Sequence, residues 1–353
     1  GHPFIFLFLG GFVIGKALER WNLHRRIALT IIYWIGSDMR QIILGFMVAT
    51  AFLSMWISNT ATSVMMLPIG VAIVKQLEDF PSQEKPDSQM FGKALMLSIA
   101  YSASIGGIAT LIGTPPNLVF AGIAQDVYGI EISFSSWIMI GLPVSIFLLG
   151  ISWWYLTRYA FDLGDRHFPG GRAEISAQLR DLGKISYEEK VVLIVFIVTA
   201  CAWVFRSAVI NIFIPGLDDT MIAIAAAIIL FILWSEAVRL PWGVLILFGG
   251  GLALAKGFTE SGLAEWLGSQ MSLFEGASLV VILFVLIFSV NLLTEITSNL
   301  ATTAMLLPIL ASLAYCFNGR RYAGSFLCLY VACGHTSQCC GLWLGVSSNF
   351  RYG

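Results

Sequence analysis

The sequence predicts an all-α polytopic membrane protein: an inverted repeat with two re-entrant hairpins and broken transmembrane helices. Three observations lead there. The 353 residues are 58% hydrophobic and 12% charged, with mean hydropathy +0.83; a soluble domain carries about twice that charge fraction. The stretch 58–69, Ser-Asn-Thr-Ala-Thr-Ser-Val-Met-Met-Leu-Pro-Ile, returns 240 residues later at 298–309 with eight of twelve positions identical. The same offset aligns Gly10-Gly11 with Gly250-Gly251, Lys16 with Lys256 and Leu23 with Leu263, which argues for internal duplication. Each copy sets a polar Ser-Asn pair inside a long apolar run, tolerated in a bilayer only where polar groups face protein, ions or water.

Several windows run without charge for the about 20 residues that a span requires. Residues 4–18 are the first, followed by a basic stretch holding Arg20, Arg25 and Arg26. Residues 27–35 are short enough for a bent or partial helix. The run 41–57 leads into the first Ser-Asn-Thr, and 61–74 leads away from it. That second arm has 14 residues and would rise about 21 Å as a helix, too little to cross. Arg40 and Lys75 flank the two arms, so a re-entrant hairpin near 41–74 with both ends on one face is expected. Residues 75–93 read as a polar loop. An apolar run over 95–112, rich in small residues that permit close packing, stops at Gly113-Thr114-Pro115-Pro116-Asn117 and resumes to 124. Two prolines inside a helix would free carbonyls, so a broken span near 95–124 is expected. Spans follow at 137–155, 191–204, 221–234 and 242–255, with a soluble cytoplasmic loop at 161–190. The run 278–293 leads into the second Ser-Asn, predicting an outer hairpin near 278–312. The repeats then cover 3–160 and 191–317.

Loop charges set the orientation. With 19–40 inside, the hairpin, the 75–93 loop, 161–190 and the Arg239 loop also fall inside. The loops 207–219 and 258–275, poor in Lys and Arg, fall outside, as the positive-inside rule requires. The run 4–18 then points inward and its copy 242–255 outward. Inverted repeats with broken helices meeting at the midplane are the signature of a secondary transporter.

Each hairpin tip offers hydroxyls, an amide and freed carbonyls, hard oxygen ligands suited to a small monovalent cation. The helix after each tip, expected from Ala61 or Ala301, aims its positive N-terminus at the same place. The helix after Asn117 adds another. Asn59 and Asn299 can serve both charges, carbonyl to the cation and amide to an anion. A lone Ser-Asn-Thr in a membrane helix is ordinarily packing glue or a kink; duplication, inversion and the adjacent Pro-Pro-Asn break favour a site. Lys16 and Lys256 lie at span ends and are expected to snorkel to the interface. Glu295, aligned with Met55 in the other copy, fits a functional or a structural hydrogen-bonding role equally. The net charge of −1 gives nucleic acid no support, and the one cysteine in the apolar body, Cys201, shows no zinc or redox spacing.

At these residues the chain resembles the divalent-anion:sodium symporter family, the dicarboxylate, citrate and sulfate transporters. The Ser-Asn tips, the Pro-Pro-Asn break and Thr294-Glu295-Ile296-Thr297-Ser298-Asn299 carry the resemblance over residues 3–315. It implies a homodimer in the bilayer, with a fixed scaffold and a transport domain moving in elevator fashion. It places one sodium at Ser54, Ser58, Asn59 and Gly113 and a second at Thr294, Thr297 and Asn299. A small dianionic substrate, foremost a C4-dicarboxylate, would meet Asn59, Thr60, Thr114, Pro115 and Asn299.

The chain departs from the family at three places. Leu300 stands where the family has Thr. About three spans that normally precede Phe4 are absent; with no initiator Met before Gly1, the natural start is expected upstream. No second Pro-Pro-Asn follows, and the tail at 318–353 carries Arg320, Arg321, His335, Arg351 and several cysteines. A one-base shift of Gly334-His335-Thr336-Ser337-Gln338-Cys339 can read Ala-Thr-Pro-Pro-Asn; natural divergence is the alternative, and the encoding DNA decides between them. Other functions stay open. Sulfate or another oxyanion suits the same helix ends, a proton-coupled exchanger would use Glu295, and an inactive fragment would fit the missing start and aberrant tail. An enzyme is not expected, because no nucleophile–base pair or metal-ligand cluster appears.

Overall fold

The computed structural model describes residues 2–36, 38–79, 88–161, 163, 171–230 and 238–263, with isolated positions between 266 and 306. Among the described residues the chain is helical and forms no strand. Pro3 opens α1 (Pro3–Arg20), where its missing N–H costs nothing, and Arg20 faces the negative end of that helix. Asn22 then takes a left-handed φ of 55° and turns the chain into α2 (Leu23–Ile35). The helix starts before the expected apolar run because His24, Arg25 and Arg26 extend it on their polar side.

The two arms around the first Ser-Asn are α3 (Met39–Ser54) and α4 (Asn59–Asp79). One expectation fails here. The second arm is a 21-residue helix, not a 14-residue one, and Asn59–Glu78 is long and apolar enough to cross a membrane. Its apolar run stops at Lys75, but Lys, Gln, Leu and Glu are strong helix formers and carry the helix on. Shortness therefore does not distinguish a re-entrant arm from a crossing. The helix also begins at Asn59, two residues before the expected Ala61, because Ser58 caps it.

α5 (Ser88–Ile108) ends before the Gly-Thr-Pro-Pro break and α6 (Pro115–Tyr128) begins within it. The two prolines are the first residues of α6, the place where neither loses a hydrogen bond. α7 (Phe134–Trp154) carries Pro143 and continues as a π-helical turn over Tyr155–Ala160. Its exposed Met139, Ile140, Ile146, Phe147 and Trp154 form an apolar flank suited to lipid rather than water. The expected loop at 161–190 contains a polar helix, α8 (Gly171–Asp181). α9 (Tyr187–Phe205) starts with a capping box: Glu189 N donates to Ser186 Oγ at 3.1 Å and Ser186 N to Glu189 Oε2 at 3.3 Å. A second π-helical turn, Arg206–Ile210, follows it. A short turn of helix at Asn211–Phe213, then α10 (Asp219–Leu230) and α11 (Trp242–Glu260), follow. Most of the expected outer hairpin, including Glu295, Thr297, Asn299 and Leu300, lies outside the described residues, as does the whole tail at 318–353.

The chain forms two compact units. The larger takes residues 9–114 and 134–240. Its core is built on Leu29 and Ile32 of α2, Ile43, Phe46 and Met47 of α3, Ile73 of α4 and Phe91 and Leu95 of α5. Small residues set the approach of these helices: a Cβ on Gly45 would lie 3.2 Å from Ile32 Cα, and one on Gly106 would overlap the Ala51 backbone. In a bilayer, where tails are as apolar as leucine, such close packing holds helices together. The smaller unit takes residues 1–8, 115–133 and 241–353. Within it α6 lies on α11, a Cβ on Gly122 would stand 3.0 Å from Leu252 Cδ2, and Phe8 meets Phe248 edge-on at 6.4 Å.

Candidate functional site

The first tip is residues 55–58, between the end of α3 and the start of α4. The α3 end is drawn out as a turn: Trp56 N and Ile57 N both donate to Leu53 O at 3.0 Å. On the α4 side Ser58 is the cap, with Ala61 N donating to its Oγ at 3.3 Å and Thr62 N to its carbonyl at 2.9 Å. The polar pair that interrupts the apolar run is thus what ends one helix and begins the next.

Ser54, wholly buried, sits at the centre. Its Oγ lies 2.8 Å from Asn59 Oδ1 and 2.5 Å from the Ala103 carbonyl of α5. A hydroxyl has one proton, so it can donate to only one of these two acceptors at a time. Three neutral oxygens therefore converge at this point, hard ligands of the kind a small monovalent cation takes. Alongside, Thr110 Oγ1 donates to the Met55 carbonyl at 2.5 Å, holding the tip backbone against the stretch after α5.

Two glycines make this approach possible. A Cβ on Gly107 would lie 2.5 Å from Asn59 Oδ1, and one on Gly113 would lie 2.6 Å from the Gly107 carbonyl. Neither position has room for a side chain. Ser54, Asn59 and Gly113, three of the four expected first-sodium residues, are thus linked through Gly107. Ser58 caps α4, its Oγ accepting from Ala61 N. Thr60 is exposed in the first turn of α4, Thr114 is buried and Pro115 opens α6. Of the second set, Thr294 is buried, while Thr297 and Asn299 lie outside the described residues. Ala103, Gly107 and Thr110 are additions that the sequence reading missed. A backbone carbonyl has no sequence signature, and Gly106-Gly107 was readable only as a packing motif.

The charge around the tip is sparse. The tip and the break hold no Lys or Arg, and among the described residues no cluster of His, Cys, Asp and Glu could hold a metal ion. Lys16 Nζ pairs with Glu19 at 2.6 Å, and Lys256 Nζ with Glu260 at 3.7 Å. Each of these two lysines thus answers an acid about one turn along its own helix. What the tip can do chemically is hold a monovalent cation through neutral oxygens and present helix N–H groups to an anion.

Comparison with known proteins agrees in kind. The chain is 48% identical over 335 residues to the sodium-dependent dicarboxylate transporter SdcS of Staphylococcus saprophyticus, covering 90% of this chain and 64% of that protein. SdcS proteins of Staphylococcus aureus strains USA300 and NCTC 8325 match at 48% over 331 residues, covering 89% of this chain and 64% of theirs. The chain therefore spans somewhat under two thirds of the length of these relatives. The sodium:sulfate symporter transmembrane region matches residues 1–345. By that match over nearly its whole length, the chain belongs to the sodium:sulfate symporter family.

Proposed function

We propose that this chain is part of a sodium-coupled symporter of divalent anions in the plasma membrane, a transporter and not an enzyme, with C4-dicarboxylates as substrates. The observation that carries the reading is the convergence of neutral oxygens on Ser54: its Oγ lies 2.8 Å from Asn59 Oδ1 and 2.5 Å from the Ala103 carbonyl. Sodium needs no charged ligand there, and its own charge is what a dianion lacks. An unpaired anion in a low-dielectric site costs several kcal/mol, and a helix N-terminus offsets only about 0.3–2 kcal/mol. Sodium binding first is the economical solution.

The finer features belong to the same proposal. The first sodium is held by Ser54, Ser58, Asn59 and Gly113, and the second by Thr294, Thr297 and Asn299. Substrate meets Asn59, Thr60, Thr114, Pro115 and Asn299. The two tips are re-entrant hairpins of an inverted repeat; the 240-residue offset and the basic residues Arg40 and Lys75 beside the first hairpin support this. The complete protein is a homodimer working by an elevator movement. The relatives are dicarboxylate transporters by name, whereas the family is named for sulfate, so the test includes both.

Vesicles reconstituted with the protein should accumulate succinate under an inward sodium gradient and not under a proton gradient alone. Uptake driven by protons without sodium would replace this reading with an exchanger. Sodium-driven uptake of sulfate in preference to succinate would keep the coupling and change the substrate.

A further inference from the structure

Trp56 is the one large ring on the first tip, and its surroundings are unusual. It is 9% exposed and lies inside a box of three other aromatic rings. Phe134, the first residue of α7, stacks on it at 6.1 Å; Trp203 of α9 lies nearly parallel at 6.4 Å; Phe196 of α9 meets it edge-on at 4.8 Å. Phe134 and Trp203 also stack on each other at 4.9 Å. Such pairs each contribute about 0.5–1.5 kcal/mol beyond the area they cover.

The box is fixed from behind by a buried ion pair. Arg206 Nε lies 2.7 Å from Asp219 Oδ1, with both side chains 8% exposed. Asp219 Oδ2 accepts from Phe134 N at 2.8 Å, and Trp203 Nε1 donates to the Asp219 carbonyl at 2.9 Å. Arg206 also donates from its guanidinium to Leu217 O at 3.0 Å. One carboxylate thus ties together the starts of α7 and α10, and its own backbone takes the Trp203 indole of α9. This is more polar anchoring than packing two apolar helices needs. By contrast, the indole N–H of Trp56 has no hydrogen-bond partner among the described residues. The box holds Trp56 by its ring alone.

The backbone that carries this ring is the backbone of the cation node. Trp56 follows Met55, whose carbonyl accepts from Thr110, and stands two residues after Ser54. On the other flank Gly15 of α1 leaves room for the Trp56 carbonyl, which a Cβ there would meet at 3.3 Å. The hydrogen bonds of this four-residue turn run to α3, α4 and Thr110, and its one large side chain runs to α7 and α9. Trp56 is the long lever on it.

We propose that Trp56 is a positioning residue for the first cation site: the Phe134–Phe196–Trp203 box grips its indole, which fixes the separation of Ser54 and Asn59. The proposal rests on the sodium reading above and adds a residue with no ligating atom. It says that cation affinity at this tip depends on a ring that touches neither sodium nor substrate.

The test is a sodium titration of the purified protein, read as the sodium-dependent rise in thermal unfolding temperature at constant ionic strength against choline. Trp56→Ala should raise the half-saturating sodium concentration about tenfold or more, the usual effect of removing an outer support from a metal ligand set. Trp56→Phe should keep the wild-type half-saturation, because the ring and not the N–H is held. Phe91→Leu, in the α2–α5 core, should lower the sodium-free unfolding temperature without moving the half-saturation. Should Trp56→Ala not yield folded protein, Phe196→Ala opens the box from its edge and should shift the titration the same way. A wild-type sodium response that Trp56→Ala or Phe196→Ala leaves at the same half-saturation overturns the positioning role alone. Absence of any sodium response from the wild type overturns the sodium reading and the positioning role together.

Discussion

Asn59 joins the two chemistries proposed for the first tip. Its Oδ1 stands against Ser54 Oγ, while it opens α4, whose N–H groups favour an anion. Asn59→Ala removes a ligand to a charged group, worth roughly 1–3 kcal/mol, so sodium and substrate affinity should fall together in equilibrium binding. Asn59→Asp keeps an oxygen for the cation and adds a charge that repels the anion. Sodium binding should survive and substrate binding should disappear; normal substrate binding by this variant would remove Asn59 from the shared role. Gly107 gives a sharper test because it ligates nothing. Its Cβ would lie 2.5 Å from Asn59 Oδ1, and overpacking of this sort costs about 1–3 kcal/mol. Gly107→Ala should therefore weaken sodium binding by about one order of magnitude; unchanged affinity would mean that Asn59 is not at the site. Asn59 was legible in the sequence because the Ser58-Asn59 pair inside an apolar run needs a reason, whereas Ser54 came from the family resemblance alone. Ala103 was not legible, since its contribution is a carbonyl that every residue carries.

At the scale of elements, the break and the tip were legible and their lengths were not. Pro115-Pro116 marked where α5 could not continue, and the prolines serve as the first turn of α6. The end of α4 was misjudged because hydropathy reports where lipid contact stops, whereas the helix runs on through Lys75, Gln76 and Leu77 to Asp79. The polar corner beneath α2 was equally invisible, since it joins residues far apart in sequence. Arg26 donates to Glu189 at 3.1 Å and to the carbonyls of Gly183 and Leu182, pinning α2 to the start of α9. Both side chains are largely buried, so Arg26→Ala leaves Glu189 uncompensated and should cost roughly 3 kcal/mol, seen as earlier thermal unfolding. Next to it, His24 Nδ1 lies 2.9 Å from Leu18 O, a contact that only a protonated Nδ1 can make. Burial holds the His24 pKa below its ordinary 6.5, against the opposing pull of the Leu18 carbonyl. As pH falls through 6.5 the unfolded chain takes up this proton before the folded one does. The His24 contribution is therefore intact above that pH and declines below it. The unfolding temperature should drop between pH 7 and 5, and His24→Gln should flatten that drop; an equal slope in both proteins would show that His24 is not its source.

For the whole molecule, the repeat at 240 residues was the strongest signal in the chain, and membership of the symporter family agrees with what it implied. What remained hidden was the division into two compact units, each assembled from stretches distant in sequence. An offset records ancestry, whereas a unit is defined by which helices pack together. The central claim is that sodium supplies the positive charge that this chain's tip and break lack. The direct measurement is equilibrium binding of succinate to the purified protein, by calorimetry, in sodium and in choline at equal ionic strength. The account predicts saturable binding in sodium, none detectable in choline, and none in either salt for Asn59→Asp. Succinate bound with equal affinity in both salts would contradict it.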